Sequence, residues 1–188
     1  MPGDYTVRLT VGGVVMERAL TVLPDPRLDL SQADLVAQFE AVKEVTDRIT
    51  PVAAETQHIL DLKAQMDDRV SQTSDQPYAD RVKDATSPVQ EALDSVHEAL
   101  VDVCWTSDYK SLHYPVRAYN QLLSLNGSLQ TGPRGPTDAQ RRIASELGAT
   151  IDAQLARLRE IESTEIMQLN QVLEELGVPP VYVPRPVS

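Results

Sequence analysis

The chain has 188 residues, with 28 acidic side chains against 17 basic and a net charge of −11, so it repels phosphate backbones and anionic lipid and argues against nucleic acid as a partner. Aromatic residues make up only 4% of the chain, low for a β-sandwich or a carbohydrate-stacking surface, and no apolar run approaches the roughly 20 residues that span a bilayer. A single cysteine, Cys104, excludes an internal disulfide and a cysteine-based zinc site.

Residues 1–27 have a different period from everything after them. Tyr5, Val7, Leu9 and Val11 alternate with Thr6, Arg8 and Thr10, as in a strand with one buried face. Gly12-Gly13 supplies the positive φ angles of a two-residue hairpin turn. Folding about that turn sets Arg8 opposite Glu17, Tyr5 opposite Leu20 and Leu9 opposite Met16. Arg18 falls opposite Val7 on the apolar face, which demands an edge position or a bulge. A lone two-stranded hairpin is marginal in water, so this one needs the helices or further strands to lean on; further strands are the preferred reading. Pro24 and Pro26 then end the strand and stiffen a linker.

From residue 28 to 178 the spacing is helical. Ser31 caps the first helix, with Asp34 three residues on. Leu35, Phe39, Val42, Val45, Ile49, Val52, Ile59, Met66 and Val70 form one stripe, along a rod of some 60 Å ending near Thr73. Pro51 predicts a kink or break near Arg48. Asp75 is the expected cap of a second helix that Pro77 opens, with Tyr78, Val82, Ala85, Val89, Leu93, Val96, Leu100 and Val103 as its stripe. Pro88 predicts a second bend, at a level that matches the first. Trp105 to His113 reads as a connection, with Trp105 plugging one end of the bundle. Pro115 starts a shorter helix with Val116, Tyr119, Leu122, Leu123 and Leu129 inward. The stretch from Thr131 to Pro136 is a loop of helix breakers.

Thr137 and Gln140 match a capping box. Ile143, Leu147, Ile151, Leu155, Leu158, Ile161, Leu169, Val172 and Leu176 continue inward from it. Leu176-Gly177-Val178-Pro179 stops the last helix, and residues 179–188 form an extended, proline-rich tail. With 41% hydrophobic and 24% charged residues, a chain of this length buries enough surface to fold without a metal or disulfide. The fold class expected is mainly α: a long antiparallel up-and-down bundle of three to four helices behind a short N-terminal β-hairpin.

Chemical motifs are sparse. His58, His97 and His113 have no ligand-forming partner at helical spacing, so no metal is expected; His58 and His97 have Glu55 and Glu98 beside them and suit surface ion pairs. Cys104 lacks a positioned base and reads as a small buried residue. Adjacent acids such as Asp67-Asp68 and Glu174-Glu175 point about 100° apart and suit solvent. No phosphate-cradling glycine loop or nucleophile elbow occurs, and no cofactor is implied. The best polar constellation is Tyr119, Asn120, Asn126 and Asn170. These side chains either hydrogen-bond across the bundle and fix its register, the favoured reading, or line a pocket for a small molecule or peptide.

PGDYTVRLTVGG (residues 2–13) with ALTVLPDPR (19–27) resembles the last strands of the immunoglobulin-like sandwich that follows the β-propeller in large bacterial sortilin-like proteins. Their propeller repeats, of the BNR type, often earn them the label glycosyl hydrolase. YPVRAYNQLLSLNGSLQTGPRGPTDAQRR (114–142), LGATIDAQLARLREI (147–161) and LNQVLEELGVPPV (169–181) resemble the helical C-terminal region of the same proteins. The resemblance covers nearly the whole chain but includes none of the propeller motifs, so it transfers no catalytic residue. It implies an exported or cell-envelope (periplasmic) parent, with upstream propeller and sandwich domains as partners and a Met1 that begins a fragment or a truncated reading frame. The function expected is that of a non-catalytic structural or protein-interaction module, with homodimer formation as one option. A glycan hydrolase would need two carboxyl groups roughly 5–10 Å apart across an open cleft.

Overall fold

In the computed structural model, residues 1–27, 31–101, 116–131 and 134–184 are described. The expectations for Val103, Cys104, Trp105, His113 and Pro115 lie outside them. Two strands, β1 (Gly3–Val11) and β2 (Val14–Val22), precede helices α1 (Gln32–Gln72), α2 (Ala79–Leu100), α3 (Ala118–Gln130) and α4 (Asp138–Glu160). A π-helical turn (Ile161–Glu165) joins α4 directly to α5 (Ile166–Glu175). The fold is mainly α, an up-and-down bundle with an N-terminal hairpin.

The hairpin register is the expected one, from Gly3 opposite Val22 to Val11 opposite Val14. Gly12 and Gly13 have φ of 55° and 82°, the left-handed geometry that matches the strand twist. Arg8 and Glu17 pair at 2.6 Å on the polar face. No bulge relieves Arg18, which stands opposite Val7. It needs no relief, because every residue of both strands is exposed and the guanidinium stays in water. Among the described residues the hairpin contacts no helix.

Ser31 closes a full capping box with Asp34, and Thr137 does the same with Gln140, satisfying two otherwise orphaned amides at each start. α1 has 41 residues, about 60 Å at the α-helical rise. It runs unbroken through Pro51, as α2 does through Pro88. Both prolines are on exposed faces, where water can take the carbonyl that each leaves unbonded.

Side-chain pairs give the direction of each rod. Gln90 bonds Asp67 and Lys63 bonds Asp94, so α2 runs back along the second half of α1. Gln38 bonds the Leu129 carbonyl and Asn126 bonds Thr46, so α3 runs back along the first half. Arg48 reaches the Ala144 carbonyl and His58 reaches Glu162, so α4 is parallel to α1. The rods therefore stand in three columns, with α2 and α3 successive in one of them. Opposite Gln90 and Asp67, Pro88 lies near the level of Arg69, about 27 Å along α1 from Pro51. The two prolines do not share a level, contrary to the sequence reading.

The core is one aliphatic seam. Val52, Ile59, Leu62 and Met66 of α1 meet Val82, Leu93 and Leu100 of α2 and Leu122 of α3, all with 0% exposure. Arg48 lies across Gly148, whose missing Cβ would fall 1.5 Å from the guanidinium. That close approach is a reason for a glycine inside α4.

Several local expectations are corrected. α2 begins at Ala79 with Tyr78 at the cap position and no side-chain cap, so neither Asp75 nor Pro77 starts it. α3 begins at Ala118 and buries Leu125, while Val116 and Leu123 are exposed. Phe39 and Ile143 are also exposed. At the start of α1 the inward positions are the small Ala37, close to Gly135, and Ala41, which packs on the core. Phe39, two residues from each, is turned some 200° away.

The π turn explains the largest correction. Ile161 and Ile166 are both fully buried although five residues apart, a step that an α-helix would send to different faces. The amide of Ile166 bonds the Ile161 carbonyl, the i→i+5 closure that absorbs the extra residue. The inward residues beyond it are therefore Leu169 and Leu173, and Val172 and Leu176 are only half-buried.

Candidate functional site

The four polar residues singled out from the sequence occupy separate places. Asn126 donates to Thr46 at 3.4 Å between α3 and α1. The Thr46 hydroxyl is itself donated to the Val42 carbonyl, so it can only accept there, and the Asn126 Oδ1 is buried without a partner. Tyr119 packs half-buried on the core, and Asn120 offers its carbonyl to Ser124 within α3. Asn170 is on α5, bound to Val181. Val181 is beside Tyr182, which bonds Gln65, and Gln65 lies about 28 Å along α1 from Thr46. One pocket does not gather these four side chains. Tyr119, Asn120 and Asn126 line none of the clefts described below.

The fold does assemble an acid–histidine pair that spacing along the chain did not foresee. His58 Nε2 lies 2.6 Å from Glu162 Oε1, with side-chain exposures of 17% and 20%. α1 supplies the histidine and the π turn supplies the acid. Glu162 continues the α4 spacing of Leu155 and Arg159, which line the same cleft, while Arg157 ties the other end of the turn to Glu165 at 2.5 Å. The sequence pairs His58 with Glu55; the partner is instead 104 residues away. Glu55, Arg159 and Pro184 line the same open cleft, of about 510 Å³. Because Glu162 is engaged by His58, the cleft presents a closed histidine–carboxylate contact flanked by Glu55 and Arg159. Among the described residues no group of three or more histidine, cysteine and carboxylate side chains is placed to hold a metal ion.

His97, half-buried on α2, has its imidazole held below the ordinary 6.5, first by burial and then by the neighbouring Lys63 ammonium, against the opposing pull of Asp94 and Glu98. Its folded form therefore prefers to be neutral. As pH falls below about 6.5 the unfolded chain takes up the proton more readily, and stability falls with it. Urea midpoints should decline from pH 7 to pH 5, and His97→Gln should decline less over the same interval. Equal declines in both proteins would remove His97 from the account.

The most fully built arrangement lies next to the His58 cleft, where Pro184 of the C-terminal segment forms part of its lining. Gly177, at φ 70°, ends α5, with the Val178 amide returning to the Leu173 carbonyl at 2.8 Å in a Schellman closure. The chain then runs extended between α1 and α5. The Asn170 amide takes both polar groups of Val181: Oδ1 accepts from its N–H at 2.7 Å and Nδ2 donates to its carbonyl at 2.9 Å. Gln65 does the same for Tyr182, at 2.8 and 3.1 Å. Arg69 donates to the carbonyls of Pro179 and Pro180 at 2.9 and 3.4 Å. Val178 and Val181 are buried, whereas the Tyr182 side chain is 69% exposed. Sequence reading treated residues 179–188 as an extended tail and missed the docking of residues 179–182, because Gln65 and Arg69 lie more than 100 residues away and Asn170 lies on the helix before the turn.

No helix among the described residues is long and apolar enough to cross a membrane. No family model, curated protein or solved structure matches the chain.

Proposed function

We propose that this chain is a non-catalytic interaction module in which a rigid helical bundle presents a β-hairpin to a β-sandwich domain. The observation that carries this reading is the uncovered apolar face of the hairpin. Tyr5, Val7, Leu9, Val11, Val14, Met16, Leu20 and Val22 share that face by register, interrupted by Arg18 opposite Val7, and each of the eight is at least 40% exposed. The opposite face carries Asp4, Thr6, Arg8, Thr10, Glu17 and Thr21 with only Val15 and Ala19 apolar, and suits water. A large exposed apolar sheet face marks an interaction site, Arg18 within it can pack its aliphatic stem while the guanidinium reaches the rim, and the free strand edges offer main-chain hydrogen bonds to an added strand. The resemblance of residues 2–27 to the closing strands of a sandwich supplies the partner: the sandwich module of a large exported β-propeller protein, whose compartment would be the cell envelope or beyond.

A sandwich domain of those propeller proteins, prepared without its own two closing strands, is the probe. Mixed with this chain it should form a 1:1 complex in sedimentation, with the β1 and β2 amides slowed in hydrogen exchange. Val7→Asp with Leu9→Asp should abolish the complex and leave the helical circular dichroism unchanged. A complex indifferent to that double substitution, or none at high concentration, would contradict the proposal.

A further inference from the structure

We propose that the groove between α1 and α5 is a binding site for extended proline-rich peptides, held closed by the chain's own tail as a tethered occupant. The inference is independent of the hairpin. It rests on how completely the groove reads a main chain. Pro179 and Pro180 have no N–H, and both carbonyls are taken by Arg69. The N–H and carbonyl of Val181 go to Asn170, and those of Tyr182 go to Gln65. Every backbone polar group from Pro179 to Tyr182 is thus satisfied by a side chain of α1 or α5. In most protein segments that role falls to other backbone groups. Side-chain amides that pair with both polar groups of one residue act as a substitute for a neighbouring strand, the mode by which extended peptides are held.

The same geometry sets a preference. At the two proline positions Arg69 offers donors and no acceptor. A residue bearing an N–H there would find no partner on Arg69, and proline, which has none, loses nothing. Val178 and Val181 are 6% and 2% exposed and flank the proline pair three residues apart. That interval is one turn of a polyproline II helix and brings both valines to one side. The Tyr182 side chain faces solvent, so its identity is not read. The ligand class is therefore an extended segment with a small apolar residue, two prolines and a second small apolar residue. Beyond Tyr182 the groove continues: Pro184 lines the cleft that holds His58, Glu162, Glu55 and Arg159. On the other side of the clamp, Met167, Gln171 and Glu174 line a further cleft of about 600 Å³ beside Pro179 and Pro180. The occupied stretch thus has an open cleft beside each of its ends.

A short tether keeps the tail at an effective concentration on the order of millimolar, so a free peptide must compete with it. The test uses the full chain and a fluorescent synthetic peptide, Val-Pro-Pro-Val-Tyr-Val-Pro, followed by anisotropy. Val181→Asp, which puts a carboxylate at a buried position of the tail, should release the tail and raise affinity for the free peptide at least tenfold over the wild type. Tyr182→Pro, which deletes the N–H that Gln65 accepts without placing a charge in the groove, should act in the same direction and serves if Val181→Asp does not fold. Adding Asn170→Ala to either variant should abolish the gain. A peptide with aspartate in place of its second valine should not bind. Folded tail variants that bind the peptide no better than the wild type, or binding that persists with Asn170→Ala, would overturn the proposal. Exchange of tails between two copies would appear as a dimer in sedimentation of the wild type, and would likewise overturn the assignment of the tail as an occupant in cis.

Discussion

Leu62→Asp is expected to abolish the cooperative thermal transition, while Leu60→Asp, two residues away, leaves it nearly unchanged. Leu62 is 0% exposed and Leu60 is 42% exposed, so the same chemical change is made on opposite sides of one helix. At position 62 the substitution forfeits roughly 1.5–3 kcal/mol of burial. It also places an acid in the seam, where an unpaired charge costs several kcal/mol more or forces its own neutralisation. The sum is comparable to the 5–15 kcal/mol by which a domain is typically stable. At position 60 the carboxylate reaches water, and surface changes of this kind stay within about 0.5 kcal/mol. Thermal melts followed by circular dichroism at 222 nm, a wavelength that reports helix, would decide; similar melts for both variants would contradict the seam.

The π turn sets up the second large contrast. Leu173→Ala should lose about 2–5 kcal/mol, as fully buried leucines do, because Leu173 is 0% exposed. Leu176→Ala should lose much less, since Leu176 is only half-buried. An uninterrupted α-helix from Ile161 would reverse this order. Deleting Thr164 removes the surplus residue of the turn and converts it to α-helix with Ile166, Leu169 and Leu173 still inward. That variant should remain folded, and it should keep the His58–Glu162 contact, because Glu162 precedes the deleted residue and follows the spacing of Leu155 and Arg159. Urea titrations of the three variants would check the set, and a larger loss at Leu176 than at Leu173 would refute the phase shift.

What was legible in the sequence was local. Gly12-Gly13 fixes the hairpin register because only that turn chemistry suits two residues with positive φ. Ser31 with Asp34, and Thr137 with Gln140, mark helix starts because each box is closed within four residues. Gly177 before Pro179 marks a stop for the same reason. The bundle itself was legible because aliphatic spacing survives small errors of phase. Where the inward face depends on what stands opposite, the reading slipped. Phe39 was expected inside because it stands four residues after Leu35 in the stripe, yet the small Ala37 and Ala41 take inward positions there. The five-residue step from Ile161 to Ile166 was the one sequence signal of the π turn, and a search limited to steps of three and four passes over it.

The candidate sites were the least legible part. Glu162 meets His58, and Gln65, Arg69 and Asn170 meet the tail, only after the columns have packed, across separations of 104, 117, 111 and 11 residues. His58 was singled out from the sequence with Glu55 rather than Glu162, and Asn170 was the one member of the tail clamp singled out. Its amide has the two complementary groups that a backbone residue requires, but nothing near it in the chain points to Val181.

Site-resolved hydrogen exchange tests the central claim most directly. One dry seam implies that amides around Val52, Ile59, Leu62 and Met66 in α1, Leu93 in α2 and Leu158 in α4 open only when the whole bundle unfolds, with a common free energy. Amides of β1 and β2, which lean on no helix, should exchange orders of magnitude faster. Hairpin amides protected as strongly as those of α1, or α1 and α4 opening with clearly different free energies, would contradict it.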